Sequence, residues 1–260
     1  MKIAYLGLDF LRSALDAALR EGCEVLKIFT CPADNVTEFN LAVRETARRE
    51  AIPLSMERLR ARDLAQLRQA GCELLLCAGY YYRVPVTDAF PMVNFHPSPL
   101  PVGRGAWPMP WILLKGLPQG GVTAHKMTRE WDAGDILLQE TFAIRPGETL
   151  ASYMEQVNAR IPAMVRALAR DAKSLWANAR PQGAGEYWPM PTESDWTVTP
   201  QMDVAQADRV LRAFYGYECV YRTERGRTEL IGGRAVPGDS AWRPFLVRGG
   251  YIRAERSREL

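Results

Sequence analysis

Short apolar runs alternate, along the first 95 residues, with stretches in which apolar residues recur three or four positions apart. The continuous runs predict strands that are buried on both faces, because such strands need no polar alternation. These runs are residues 2–8, 23–30, 74–78 and 92–95. The periodic stretches predict amphipathic helices over residues 10–19, 36–51 and 62–70. This alternation predicts an α/β fold, with a mostly parallel sheet and helices on both faces.

The following part of the chain carries longer elements. Residues 107–115 predict a helix with Pro108 in its first turn, where proline is tolerated. Residues 122–127 and 136–144 predict two strands joined by a turn at residues 132–135. Residues 149–176 predict one long amphipathic helix, in which Pro162 introduces a kink or a break.

The composition changes near Arg180, and a smaller domain is expected beyond it. Residues 181–185, with the sequence PQGAG, predict a linker. The elements expected after it are a helix over residues 204–214, a turn at 224–226 and strands over 219–223, 229–231 and 245–253. The basic tail at residues 253–258 predicts a solvated end. We therefore predict a main domain over residues 1–178 and a small, mostly-β C-terminal appendage over residues 186–260.

Composition and charge describe an ordinary soluble protein. The chain has 260 residues and a formal charge of +3, which neither demands nucleic acid nor excludes an anionic small substrate. The apolar start is too short for a signal peptide, and no run approaches the ~20 residues of a membrane span. Five cysteines without a C-x-x-C pair favour reduced thiols in a cytoplasmic protein.

Candidate catalytic residues lie between positions 91 and 135, where both histidines of the chain, His96 and His125, are found. Asn94 and His96 are two positions apart on one predicted strand, so their side chains share a face. Asp132 lies in a later turn, and ligands of parallel sheets bind beyond the carboxyl ends of the strands. An amide, an imidazole and a carboxylate in one pocket suit acyl transfer to nitrogen. One group holds the oxyanion and another manages the amine proton.

Each feature also has a structural interpretation. An isolated Asn-x-His is more often a strand end with satisfied polar groups, and His125 fits that description better than direct catalysis. Arg104 suits either a substrate phosphate or a clamp of its own loop. The tyrosines at 80–82 with Arg83 suit loop packing or a wall for a flat or anionic ligand. No G-x-G-x-x-G follows the first strand, so dinucleotide binding is unsupported, and two histidines exclude a histidine-rich metal site.

Several motifs, taken together, resemble a known family. They are NFHPSPLP at 94–101, GRG at 103–105, Pro108 and Trp111, GVTAH at 121–125 and DAGDIL at 132–137. They are similar to the 10-formyltetrahydrofolate-dependent formyltransferases. This family includes methionyl-tRNA formyltransferase, glycinamide ribonucleotide formyltransferase and the formyltransferases of nucleotide-linked amino sugars. The run at residues 81–83 and Lys126 most resemble the amino-sugar branch, such as the enzyme that formylates UDP-4-amino-4-deoxy-L-arabinose.

The resemblance implies a Rossmann-like catalytic domain, a shortened version of the family's C-terminal domain and a triad of Asn94, His96 and Asp132. It implies 10-formyltetrahydrofolate as the formyl donor, with no metal. The implied donor-binding residues are Gly79, Tyr80, Tyr81, Tyr82, Arg83, Val84, Arg129 and Trp131. We expect substrate contacts from Arg104 and Lys126. In the expected mechanism, Asn94 and a protonated His96 hold the oxyanion, and Asp132 orients His96 and helps to take the amine proton.

The acceptor expected first is a small amine on a nucleotide-linked sugar, and nucleic acid is an unlikely partner. Hydroxyornithine, a carrier-bound aminoacyl group and methionyl-tRNA are the alternatives. With water as the nucleophile, the same residues fit a formyltetrahydrofolate hydrolase. A non-catalytic folate-binding domain and an NAD-linked oxidoreductase are the hypotheses from other classes. The aromatic strands after Tyr217 suit a homodimer interface or a cover over the acceptor.

Overall fold

A seven-stranded sheet carries the N-terminal part of the fold. Its strands are β1 (Lys2–Gly7), β2 (Glu24–Phe29), β3 (Leu54–Ser55), β4 (Leu74–Ala78), β5 (Met92–His96), β6 (Gln119–Lys126) and β7 (Ile136–Ala143). The computed structural model, which describes residues 1–36, 38–238 and 243–260, orders them β3-β2-β1-β4-β5-β6-β7. The first five pair in parallel, and β6 runs antiparallel to β5. The predicted mostly parallel α/β sheet is confirmed.

The α-helices described up to residue 177 are α1 (Ser13–Arg20), α2 (Leu41–Arg49), α3 (Ala61–Gln69), α4 (Pro108–Leu114) and α5 (Leu150–Ala177). The central strand β1 is buried on both sides, as its apolar run predicts. Ala4, Leu6 and Leu8 share one hydrophobic cluster with Leu64 and Leu67 of α3. The carboxyl edge of the sheet is therefore supported by a buried apolar core.

Helix α2 begins later than the sequence pattern predicts. Its hydrogen-bonded turns start at Leu41, whereas the periodicity of residues 36–51 places the start five residues earlier. The Asp34 carboxylate accepts hydrogen bonds from the backbone of Val36 and Glu38, which forms a turn there instead. Asp9 then accepts from the backbone of residues 42 and 43 and fixes the helix start. Thr37, part of the predicted helix, lies outside the described residues.

Helix α5 is interrupted, but the interruption does not lie at the predicted position. Pro162 stands inside the helix, and the residue with non-helical backbone angles is Asp171, at φ −155° and ψ 63°. The Asp171 carboxylate accepts a hydrogen bond from Ser174 N at 3.0 Å, as an N-cap does. The second helical segment therefore begins at its own N-cap, Asp171. The sequence prediction placed the interruption at Pro162 instead.

The C-terminal part forms a second, five-stranded sheet with one helix. Its strands are β8 (Thr197–Val198), β9 (Glu218–Thr223), β10 (Gly226–Pro237), β11 (Leu246–Val247) and β12 (Gly250–Glu259), in the order β11-β12-β10-β9-β8. Helix α6 (Val204–Ala213) begins at a capping box in which Asp203 and Gln206 bond reciprocally. The predicted mostly-β appendage is confirmed.

The residues of the predicted basic tail, 253–258, are largely exposed to solvent, as expected, but they form part of a strand rather than a free end. These residues belong to β12, which pairs with β10 from Thr228 opposite Glu259 to Pro237 opposite Gly250. The arginines of this strand meet carboxylates as well as water: Arg258 Nη2 lies 2.6 Å from the buried Glu229 carboxylate. The charged residues therefore belong to an exposed part of a strand, where Arg258 and Glu255 also contact side chains of neighbouring elements.

The chain forms two compact units. The first contains residues 1–104, 121–141 and 156–187, and the second contains residues 105–120, 142–155 and 188–260. A domain boundary between residues 178 and 186 stays a prediction. Within the described part of the chain, no helix has the length and apolar content that crossing a bilayer requires.

We expect Asp208→Asn to lower the free energy of unfolding of the second unit by about 1–2 kcal/mol at pH 7. Burial acts to raise the pKa of Asp208, but hydrogen bonds from Arg234 and Arg212 outweigh it and hold the pKa below its usual value. The carboxylate therefore stabilises the fold above pH ~4, and this contribution is lost as the pH falls through the folded-state pKa.

Urea unfolding at pH 7 and pH 3 measures this effect, with Glu224→Gln in the exposed β9–β10 turn as the matched control. The difference in free energy of unfolding between Asp208→Asn and the parent protein should become smaller at pH 3. A difference of equal size at both pH values would contradict the proposed ion-pair origin.

Candidate active site

Strand β5 places Asn94 and His96 on one face at the carboxyl edge of the parallel strands. Asn94 is paired with Cys77 of β4 on one side and with His125 of β6 on the other. His96 ends β5 opposite Thr123. His96 and His125 are both almost fully buried, so neither ring is a freely solvated surface group. The predicted spacing of Asn94 and His96 therefore brings them to one place.

Asp132 completes this cluster from the turn after β6. Its Oδ1 atom lies 3.5 Å from Asn94 Nδ2, 3.5 Å from His96 Nδ1 and 3.5 Å from His125 Nε2. The carboxylate is 9% exposed, which limits its contact with bulk water. The structure thus brings the three predicted catalytic side chains together, and it adds His125 as a fourth neighbour.

The hydrogen bonds of the two rings define their tautomers. His96 Nε2 lies 2.7 Å from Gly103 O, and a carbonyl oxygen can only accept, so Nε2 carries the proton. His125 Nδ1 lies 2.8 Å from Lys126 O and is protonated for the same reason. The lone pair of His125 Nε2 then accepts from Asn94 Nδ2 at 3.1 Å. His125 therefore orients the Asn94 amide.

The resting charge of His96 follows from its surroundings. Burial lowers the pKa of His96, and the raising effects of Asp132 and of the Gly103 hydrogen bond do not reverse this. The resting ring is therefore neutral, and the protonated form expected in the reaction has to gain its proton during turnover. The Nδ1 lone pair of His96 faces Asp132 Oδ1 across 3.5 Å. These two acceptor atoms can therefore share one proton.

The turn that carries Asp132 adopts a constrained backbone. Asp132 has φ +51°, a left-handed conformation that few residues other than glycine adopt readily. A Cβ atom on Gly134 would lie 2.0 Å from Lys126 O, so no side chain fits there. The backbone of Lys126 also donates to Asp135 O at 2.9 Å. The end of β6 and this turn are therefore packed directly on each other.

A cavity of about 520 Å³ opens beside the loop that follows β4. Of the predicted donor-binding residues, Arg83, Val84 and Arg129 line it. Arg58 and Arg60 line it as well, so four arginine residues border one cavity. Arg83 donates to the Arg129 backbone carbonyl, which holds the two loops together. Such a cavity suits a ligand with a partly apolar body and more than one carboxylate.

The remaining predicted donor-binding residues have different environments. Gly79 has φ +77°, and a Cβ atom there would lie 2.4 Å from the Phe10 ring, so the Phe10 contact requires glycine. Tyr80 is buried, and its hydroxyl accepts from Leu59 N at 3.0 Å. Tyr82 packs edge-on against Tyr80. Tyr81 and Trp131 are the exposed aromatic side chains of the set, each close to half exposed.

Residues 1–168, more than half of the chain, match the family described as formyl transferase. The chain belongs to this family. The predicted class, a folate-dependent formyltransferase, is thereby confirmed, with 10-formyltetrahydrofolate as the formyl donor.

Three relatives illustrate the similarity. The chain is 26% identical over 274 residues to the methionyl-tRNA formyltransferase of Solibacter usitatus, with 96% of this chain and 88% of that protein covered. HypX from Aquifex aeolicus, in complex with tetrahydrofolic acid, superposes with TM-score 0.70 at 18% identity, over 100% of this chain and 46% of HypX. A sugar N-formyltransferase from a Shewanella species superposes with TM-score 0.69 at 15% identity, over 92% of this chain and 99% of that one. The two superpositions show a shared fold alone, and the chain spans about half the length of HypX.

The two predicted substrate contacts of this formyltransferase are engaged with other side chains. Lys126 Nζ lies 3.0 Å from Asp135 Oδ2 and 5.1 Å from the centre of the Trp176 ring. Arg104 donates through Nε and Nη2 to Gln182 Oε1, at 3.2 and 3.0 Å. Their roles toward a substrate stay predictions. Among the described residues, no three His, Cys, Asp or Glu side chains group as a metal ion requires.

The sequence pattern did not single out Arg58 and Arg60, which line the cavity, or Gln182, which contacts the turn of Asp132. Arg58 and Arg60 precede α3, and the two-residue strand β3 that brings them to the carboxyl edge has no periodicity to detect. Gln182 lies in the predicted linker, where a glutamine carries no motif. His125 was considered, but its bond to Asn94 follows from the antiparallel pairing of β5 and β6, which the strand pattern does not specify.

Proposed function

We propose that this formyltransferase moves the formyl group of 10-formyltetrahydrofolate to the primary amine of a small acceptor, a nucleotide-linked amino sugar. The observation that carries the proposal is the meeting of Asn94, His96 and Asp132 around one carboxylate oxygen. These residues are proposed as the catalytic groups. The domain division at residues 1–178 and 186–260 and the occurrence of a homodimer remain part of the proposal.

The proposed catalytic roles follow from the hydrogen-bond geometry. The 3.5 Å contact between Asn94 Nδ2 and Asp132 Oδ1 is long for a hydrogen bond, so an oxygen of a bound ligand can take over this N–H group. The second N–H stays on His125, which keeps the amide oriented. Asn94 is therefore placed to donate to the formyl oxygen as negative charge develops there, a role whose loss typically costs about 3 kcal/mol.

His96 and Asp132 manage the proton that the amine releases. As the acceptor nitrogen bonds to the formyl carbon, the proton that it releases can be held between Asp132 Oδ1 and His96 Nδ1. The proton then passes to the nitrogen of the folate as the bond between that nitrogen and the formyl carbon breaks, which releases tetrahydrofolate. A proton on Nδ1 makes His96 a cation, which Asp132 stabilises and whose positive charge favours the negative charge developing on the formyl oxygen. Gly103 O keeps Nε2 protonated throughout, so the ring presents only Nδ1 to the reaction.

The donor pocket is proposed at the cavity beside Arg83. The folate supplies an activated formyl group when it is bound. The apolar side chains of Leu59, Val84 and Val86 fit its flat part, and the four arginines fit the carboxylates of its glutamate tail. Five cysteines, all free and buried, agree with a reducing cytoplasm as the place of the reaction.

A small acceptor is favoured over tRNA by the charge of the C-terminal part. Residues 188–260 contain eleven arginines, ten carboxylate residues and no lysine. Many of these arginines are bound by carboxylates: Arg212 and Arg234 by Asp208, and Arg222 and Arg227 by Glu193. A protein that binds nucleic acid through its phosphates needs a net basic surface.

Methionyl-tRNA is the second candidate, and one observation favours it. The curated relative with 88% of its length covered is a methionyl-tRNA formyltransferase. The two candidates differ in salt dependence, because binding through several phosphates weakens steeply with ionic strength.

The test offers purified protein 10-formyltetrahydrofolate with nucleotide amino sugars, hydroxyornithine and methionyl-tRNA in turn. Release of tetrahydrofolate and the mass of the formylated product are measured. We expect a formamide on a nucleotide amino sugar. Turnover confined to methionyl-tRNA would establish the second candidate, and free formate without a formylated amine would establish a hydrolase.

A further inference from the structure

The segment at residues 180–187, here called the strap, is part of the first unit and contacts other segments of that unit at several points. Its first residue, Arg180, pairs with Ile136 through two backbone hydrogen bonds of 2.8 and 2.9 Å. Its last residue, Tyr187, forms a parallel bridge with Arg104. A Cβ atom on Gly185 would lie 2.5 Å from Pro101 O, so the strap passes close over that loop. The predicted linker is therefore an ordered part of the site's surroundings.

The side chain of Gln182 uses its whole hydrogen-bonding capacity between two loops. Nε2 donates to Asp132 O at 2.9 Å and to Gly134 O at 2.6 Å. Oε1 accepts from Arg104 at 3.0 and 3.2 Å. An amide has two N–H donors and one carbonyl, and each is engaged here. One side chain thus joins the turn of Asp132 to the loop of Arg104.

Both of these loops position catalytic atoms. Asp132 has φ +51°, a conformation that costs free energy unless its surroundings hold it, and the two Gln182 donors bind the carbonyls of this turn. Arg104 directly follows Gly103, whose carbonyl fixes the His96 ring through Nε2. The relative placement of Asp132 Oδ1 and His96 Nδ1 therefore depends on two loops that Gln182 ties together.

We infer that Gln182 is a positioning residue for formyl transfer, one that keeps the Asp132 carboxylate facing His96 Nδ1, where the two groups can share a proton. The inference rests on the proposed function of this site. Gln182 touches neither reacting group itself. Its effect passes through the backbone of the turn at residues 132–134 and through Arg104.

The test compares Gln182→Glu and Gln182→Met with the parent protein. Glutamate keeps the acceptor for Arg104 but cannot donate to the two carbonyls, and methionine keeps the length without polar atoms. We expect kcat to fall on the order of 100-fold in both variants, because a misplacement of about 1 Å can have that effect. The KM values for donor and acceptor should change less than twofold, and the pH profile of kcat should shift.

Tyr187→Phe is the matched control, because it alters a polar group of the same strap at an exposed position. It should keep kcat and the pH profile of the parent protein. Thermal unfolding of every variant shows whether the fold is retained. If Gln182→Glu does not fold, Gln182→Met still tests the inference.

The double variant Gln182→Glu/Asp132→Asn separates positioning from a general structural effect. If Gln182 acts through Asp132, the double variant is no slower than Asp132→Asn alone. Independent, multiplied losses would overturn the inference, as would a kcat within twofold of the parent in both Gln182 variants. The parent protein is assayed first. If the parent protein formylates no acceptor, the proposed function is wrong. If the parent is active and the Gln182 variants turn over normally, only the positioning role of Gln182 is wrong.

Discussion

Asp132→Asn is expected to reduce kcat about 1000-fold while leaving the protein folded. Asparagine keeps the shape of aspartate but cannot take a proton from the reacting amine or stabilise a His96 cation. The Oδ1 atom of Asp132 is shared among Asn94, His96 and His125, so the loss affects the whole cluster. Single-turnover release of tetrahydrofolate measures the chemical step directly.

Asp135→Asn provides the matched control for this prediction. It makes the same chemical change three residues later, at a carboxylate that pairs with Lys126. We expect its kcat to stay within a few-fold of the parent value. Comparable losses in the two variants would show that the turn is merely sensitive to substitution, and the triad would then be wrongly assigned.

Gly7→Ala is expected to lower the free energy of unfolding of the first unit by about 3 kcal/mol, because overpacking a close-packed interior forces neighbouring atoms to move. A Cβ atom at this position would lie 2.3 Å from Ala78 O and 2.6 Å from the Tyr5 hydroxyl. Gly7 ends β1 opposite Ala78 of β4, and the Ala78 carbonyl and the Tyr5 side chain leave no space for a methyl group. Denaturant unfolding followed by tryptophan fluorescence provides the measurement.

Two controls identify the cause of the loss. Gly183→Ala adds a methyl group where nothing lies within 4 Å, so stability should change little. Tyr5→Phe removes a buried hydroxyl that has no hydrogen-bond partner among the described residues, and it should leave stability unchanged or raise it slightly. In the Tyr5→Phe background, Gly7→Ala should lower the free energy of unfolding by a smaller amount. The loss that remains is then due to the contact with the Ala78 carbonyl. An unchanged stability of Gly7→Ala itself would contradict the packing of β1 against β4.

The sequence predicted the sheet well because buried parallel strands have a simple pattern. β4 and β5 are nearly uninterrupted apolar runs, and both were placed within one residue of their observed bounds. β3 and β8 contain two residues each, too few to show any period. β10 extends from Gly226 to Pro237 although only residues 229–231 look strand-like, because its length depends on pairing with β12 rather than on its own composition.

Contacts between residues close together in the sequence could be predicted, whereas contacts between distant residues could not. The shared face of Asn94 and His96 follows from the two-residue period of a strand. The approach of Asp132 depends on how β6 returns beside β5, and the family motifs indicated it where spacing alone did not. The Gln182 contact joins residues 50 positions apart through a segment whose composition is typical of a flexible linker. Physical contact of this kind leaves no trace in local periodicity.

The five free cysteines give this protein a built-in reporter of local opening. Burial raises the pKa of Cys77 and Cys219 to about 12 and that of Cys72 to about 11, so their thiols react slowly with alkylating reagents while the fold is closed. Cys219 belongs to the second unit, and the other four belong to the first. Alkylation rates measured at each thiol by peptide mass spectrometry would therefore report local opening of the two units separately, without any mutation.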